Sequence, residues 1–158
     1  TPLPYADARF DLVCLFEVLE HVAEDEALLR EICRVMTPGG HLFFSCPVNP
    51  DYWTYYDKVM GHERRYRGSE LQERLGRAGF VIEKVCPRHD RMDRWFGAMF
   101  GFGMRYLPGF TASIVRRYLP KVAALPWQWY EGSDFAQAET MGGVTVRARK
   151  RLPSELPI

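Results

Sequence analysis

The sequence predicts an α/β fold organised around a parallel βαβ unit. Three observations carry this. FDLVCLF (10–16) and HLFFSCPV (41–48) are continuous apolar runs of strand length. Between them, EDEALLREICRVM (24–36) sets Leu28, Leu29, Ile32, Cys33, Val35 and Met36 on one helical stripe. Strand, helix and strand at these intervals close with a right-handed crossover, so the two strands should lie side by side and run the same way.

The elements follow in order. Residues 10–16 show no polar alternation, which predicts a strand buried on both faces. The helix over 24–36 carries Glu24, Asp25 and Glu26 near its positive N-terminal end and stops at TPGG, where Pro38 cannot continue it and Gly39-Gly40 permits a turn. The second strand is closed by Pro47. DYWTYYDKVMGHERRYR (51–67) reads as a loop or short helices. Ser69 is expected to cap the next helix, with Gln72 completing a capping box, Leu71, Leu75 and Ala78 facing inward, and Gly79 ending it. FVIEKVCP (80–87) is a third strand, with Phe80, Ile82 and Val85 inward. GGVTVRARK (142–150) alternates Val144, Val146 and Ala148 against Thr145, Arg147 and Arg149, as a strand with one apolar face does. Residues 151–158 form a tail.

Composition narrows the function. The chain has 158 residues, enough for one core, and 47% of them are hydrophobic. Lys and Arg number 21 against 20 Asp and Glu, so bulk charge gives no reason to expect nucleic acid as a partner. The four cysteines stand at 14, 33, 46 and 86 without a C-x-x-C pair, which disfavours a disulfide framework or a zinc site and fits a reducing, cytoplasmic setting. No metal-ligand set is evident from spacing. Uncharged stretches such as WFGAMFGFGM are too short to span a bilayer, which needs about 20 residues.

Residues 88–135 change character: aromatics crowd among glycines, prolines and arginines, with helical stretches expected at 92–106 and 111–124. Seven basic residues (Arg88, Arg91, Arg94, Arg105, Arg116, Arg117 and Lys121) outnumber Asp90 and Asp93. Such a segment can pack on the sheet, form a lid over an apolar substrate, or, over 92–130, lie on a membrane surface.

The ordered set F-D-L-V, E-V-L-E-H-V, L-L-R-E-I-C-R-V-M-T-P-G-G-H-L-F-F-S-C-P-V and G-S-E-L-Q-E-R-L-G-R-A-G-F resembles the second half of a class I S-adenosylmethionine-dependent methyltransferase. The likeness covers about residues 2–87 and the terminal strand. It implies a partial Rossmann-like sheet: 10–16 as the family's fourth strand, 41–47 the fifth, 80–86 the sixth, and 143–149 an antiparallel seventh inserted between the fifth and sixth. Helices flank the sheet, and 88–135 is a helical insert or lid. Residues 1–150 would then be the C-terminal part of one methyltransferase domain. The acidic-Gly-x-Gly-x-Gly loop of the family is absent here, as is the acidic residue that holds the ribose. With no initiator Met, the chain is expected to be a fragment of a longer enzyme.

The resemblance also implies S-adenosylmethionine as cofactor and a small-molecule acceptor, lipophilic or anionic. Ligands in such sheets bind beyond the carboxyl ends of the strands, which gathers Glu17–His21 and Pro47–Tyr56 on one rim. Glu17 is the candidate cofactor-side residue. His21 and His62 are the candidate catalytic groups, since transfer to a hydroxyl or protonated amine needs a base. Glu20, Trp53, Tyr56, Arg64 and Arg65 are candidate substrate contacts: aromatics to wall a pocket and guanidiniums to hold an anion. Against this stand helix capping by Glu20 and His21, and a charged turn tied down by Glu63 and Asp57. A non-catalytic half-domain completing another subunit is the competing function. A nucleotide-dependent oxidoreductase is disfavoured, because no G-x-G-x-x-G turn is present.

Overall fold

Strands Phe10–Phe16 (β1) and Met36–Pro47 (β2) pair in parallel across the intervening helix, the side-by-side arrangement expected from sequence. The computed structural model describes residues 2–88 and 142–155, together with 99, 102, 103, 105–107, 109, 111, 113 and 135. Two further strands, Phe80–Arg88 (β3) and Gly143–Lys150 (β4), complete a sheet of order β1-β2-β4-β3. β4 runs antiparallel to both of its neighbours. That is the inserted last strand which the resemblance implies.

Helices Asp25–Val35 (α1) and Gly68–Arg77 (α3) share one core with the sheet. Leu29 and Ile32 from α1, and Leu71 and Leu75 from α3, join Leu42, Phe44, Phe80 and Val146 in a single buried cluster. Each fully buried aliphatic or aromatic side chain contributes about 1.5–3 kcal/mol relative to exposure. In β4 the alternation is as read: Val144, Val146 and Ala148 are buried. In β3, Phe80 and Val85 are both buried although five residues apart, an odd spacing that a regular strand cannot turn to one face. The register slips between Ile82 and Lys84, and this bulge resets the phase. It also leaves Glu83 beside His41, Arg147 and Arg149.

Several expectations are corrected. β1 is not covered on both faces: Leu12 is 52% and Phe16 59% exposed, because β1 is the edge of the described sheet and the core lies on one side of it. TPGG does not stand between α1 and β2 as a separate turn. The chain turns extended at Met36, and Thr37–Gly40 form an irregular start to β2, with the β1 register shifting between Phe10 and Leu12. Gly40 is required there, since a Cβ would lie 3.0 Å from Thr37 O and 3.1 Å from Asp11 O. Ser69 does not cap α3. The helix begins two residues earlier than that cap implies, with Arg67 at the N-cap position, and Gly68 lies buried against Phe135. The described positions of the insert are helical in part, with Leu107 N–H donating to Gly103 O and Thr111 N–H to Leu107 O. The rest of 88–135, and most of the membrane-contact segment 92–130, lies outside the described residues.

A buried polar knot ties α1 to the loop after β2. The Tyr66 hydroxyl lies 2.8 Å from Asp25 Oδ2 and 3.0 Å from Leu19 O, and Asp25 also accepts from Arg74 at 2.6 Å. Burial first, then the Asp25 carboxylate, push the phenol far above its ordinary range, so it serves only as a donor. Tyr66→Phe is expected to cost about 1–2 kcal/mol, the net worth of a buried bond to a charged acceptor, seen as a lower urea midpoint at unchanged slope.

Candidate functional site

The parallel pairing of β1 and β2 sets Phe16 opposite Ser45, so both strands release the chain at the same edge of the sheet. Glu17 is the first residue past β1. Its backbone is in the left-handed region (φ 54°), where a non-glycine residue is uncommon. Its N–H donates to Ser45 O at 3.0 Å, and its Oε1 accepts from the Ser45 hydroxyl at 2.7 Å. A short 3-10 turn, Leu19–His21, then buries Leu19 and Glu20 completely and turns His21 outward.

The facing wall comes from the segment after β2. Thr54 caps the helix Tyr55–Met60 (α2) through a capping box with Asp57, and Gly61 ends it in the left-handed conformation (φ 74°). That reversal returns His62 to the helix, where its N–H donates to Asp57 O at 2.9 Å and its Nδ1 sits 2.9 Å from Asp57 Oδ1. The same Gly61 carbonyl lies 3.1 Å from His21 Nδ1. The His21 and His62 rings meet edge-to-face at 4.8 Å, and Tyr56 stands 6.3 Å beyond.

Asp57 holds this wall together. It is fully buried and accepts from Thr54 N–H, the Thr54 hydroxyl, His62 and Arg65 Nε, the last at 2.7 Å. Burial alone would raise its pKa, but the bonds from Arg65, the Thr54 amide and His62 outweigh it and hold the carboxyl below the usual range.

The fold thus brings Glu20, His21, Tyr56 and His62 to one spot, with Glu17 at the strand end beside it. Trp53, just before α2, and Tyr55, its first residue, are 37% and 41% exposed. Arg64 and Arg65 are used differently from the expectation of an anion clamp. Arg65 is turned inward onto Asp57 and the Val48 and Gly142 carbonyls, and Arg64 bonds Asp25 and Ala23 O. Their nearest anions are the protein's own, so they fasten the loop. Ser45, as the partner of Glu17, was missed. Its signal was a lone hydroxyl in an otherwise apolar strand. One ligand atom each from Glu20, His21 and His62 lies within 4.8 Å of the others, a grouping that no sequence spacing announces.

The sequence and the fold resemble those of known proteins. The Methyltransferase domain family profile matches residues 1–44. A probable S-adenosylmethionine-dependent methyltransferase of Mycolicibacterium smegmatis is 30% identical over 142 residues, covering 87% of this chain and 51% of its own length. The chain belongs to the class I S-adenosylmethionine-dependent methyltransferases. It spans about half the length of the curated relatives it matches. A Thermotoga maritima S-adenosylmethionine-dependent methyltransferase shares the fold at a TM-score of 0.62 and 19% identity, over 94% of this chain and 60% of that one. The 4+2 cyclase SpnF aligns at a TM-score of 0.56 and 28% identity, over 95% of this chain and 53% of its own. Among the described residues of the methyltransferase chain, no helix is long and apolar enough to cross a membrane.

Proposed function

We propose that the chain forms the acceptor side of a methyl-transfer cleft, serving transfer from S-adenosylmethionine to a small molecule. The observation that carries this is the common exit of β1 and β2, which sets Glu17 and the His21–His62 pair on one edge. When bound, S-adenosylmethionine supplies an electrophilic methyl group. Glu17, directed by Ser45 and by its left-handed backbone, is the residue of this chain that would meet the cofactor. Its carboxylate chemistry suits an ammonium or hydroxyl of that molecule.

The acceptor's nucleophilic atom forms the new bond to carbon as the carbon–sulfur bond breaks, and its proton must leave. His21 donates through Nδ1 to Gly61 O in this reading, which fixes Nε2 as a lone pair able to take that proton. His62, fixed by Asp57, is the second imidazole at the same point. Trp53 and Tyr56 wall the acceptor and exclude water.

A lipophilic acceptor is favoured over an anionic one. Arg64 and Arg65 are already engaged, whereas Phe102, Tyr106 and Leu107 of the insert are each more than half exposed. Arg105 reaches this rim, its guanidinium 5.8 Å from the Tyr55 ring. That contact supports a lid role for the segment. The likeness to a cyclase makes direct measurement of methyl transfer decisive. Calorimetry of the full-length protein with S-adenosylmethionine should show saturable binding, and a labelled methyl group should appear in a lipophilic acceptor. Saturable binding with no methylated product across a broad acceptor panel would point to cyclase-like use of the fold.

A further inference from the structure

We propose that Glu20, His21 and His62 form a binding site for a divalent first-row cation of the zinc, iron or manganese class. Two imidazoles and one carboxylate are the ligand types such ions take, whereas calcium and magnesium prefer oxygen alone. The three ligand atoms lie within 4.8 Å of one another, and His21 Nε2 is 4.0 Å from Glu20 Oε1. A cation bonded at about 2.0–2.2 Å holds neighbouring ligand atoms roughly 3.0–3.5 Å apart, so closure needs a movement of about 1 Å. His21 can make it, since its side chain is 35% exposed, while Glu20 and His62 are held at 0% and 6% exposure.

The surroundings orient the donors as metal-site imidazoles are usually oriented. Each Nδ1 faces an oxygen, Gly61 O for His21 and Asp57 Oδ1 for His62, which leaves each Nε2 as the metal-binding atom. The Asp57–His62 pair is the carboxylate–imidazole arrangement that fixes the tautomer and raises ligand basicity. Three protein ligands leave coordination positions open on the exposed His21 side. There an acceptor hydroxyl would lose its proton more readily to solvent, with the imidazoles acting through the cation instead of as free bases. The site stands on these three side chains and does not depend on which molecule is methylated.

The test uses the full-length protein, stripped with a chelator and titrated with cobalt(II) and zinc(II) in the absence of S-adenosylmethionine. One equivalent of cobalt should saturate visible absorption bands, and zinc should displace it. Glu20→Gln and His21→Ala should each weaken binding at least about 100-fold, while His41→Ala, midway along β2 and paired with Leu12, should leave it unchanged. His21 lies at the surface, so its variant reads the site even if a His62 variant does not fold. Each variant's unliganded melting temperature reports folding separately. Absence of saturable binding in the parent protein, or affinity unchanged in both Glu20→Gln and His21→Ala, overturns the proposal. Neither result bears on methyl transfer, which is read with a labelled methyl group.

Discussion

Glu17→Ala in the full-length protein is expected to weaken S-adenosylmethionine binding by about 10- to 100-fold, with turnover falling at least as far. A hydrogen bond involving a charged group contributes about 1.5–3 kcal/mol, and each 1.4 kcal/mol is a factor of ten. The effect on folding should stay within about 1 kcal/mol. Glu17 is half-buried, its side chain accepts from the Ser45 hydroxyl at the rim, and alanine keeps the Cβ already tolerated at φ 54°. Glu17→Gln separates charge from shape: its amide oxygen can still accept from the Ser45 hydroxyl, so backbone and side-chain placement persist while the negative charge is lost. If charge matters, both variants lose affinity for the cofactor. Glutamine behaving as wild type would assign Glu17 to shape alone, and equal activity in the alanine variant would remove it from the cleft. Calorimetry and initial rates give the binding and turnover readouts, and urea denaturation gives the folding control.

The parts legible in the sequence were those dictated by short-range pattern. Apolar runs at 10–16 and 41–47, with an amphipathic helix between, leave few ways to build anything but parallel neighbours, and that pairing alone places Glu17 near Ser45. The antiparallel β4 between β2 and β3 is different. Its alternation marks a strand, but its position came from family resemblance, because pairing partners more than 50 residues apart leave no local trace. The bulge near Glu83 was equally hidden, since one extra residue alters no composition. At the site, the meeting of His21 and His62 depends on a left-handed residue, Gly61, that turns the chain back under α2. The segment 51–67 reads as a loop or short helices, and nothing in that reading says where a turn at Gly61 would aim the next residue. The direction of Arg65, open between an anion contact and a turn tied down by Asp57, was not legible for a related reason. A guanidinium beside an exposed loop reads as available, but the buried Asp57 and two carbonyls claim it once the loop folds.

That claim makes Asp57 the residue whose loss should cost the most stability. Asp57→Ala is expected to destabilise the fold by about 3–5 kcal/mol, the usual consequence of removing one partner of a buried ion pair. Arg65, 12% exposed, would keep only carbonyl partners for its charge, α2 would lose its capping box, and His62 would lose the group that orients it. The pH dependence carries the sign. Asp57 has a lowered pKa in the folded state, so its contribution is complete above the unfolded carboxylate's value of about 3.9 and is lost as pH falls through the lower, folded value. The stability gap between wild type and Asp57→Ala should therefore be constant from neutral pH down to about 5 and narrow below about 4. Asp57→Asn tests the cause: it retains the size and one acceptor oxygen but not the charge, and should recover only the capping share, about 1 kcal/mol. Full recovery in the asparagine variant would mean that the ion pair with Arg65 contributes nothing. A gap that stays constant through pH 3 would mean that the Asp57 carboxyl titrates alike in the folded and unfolded protein, so that its folded-state partners do not favour the charged form.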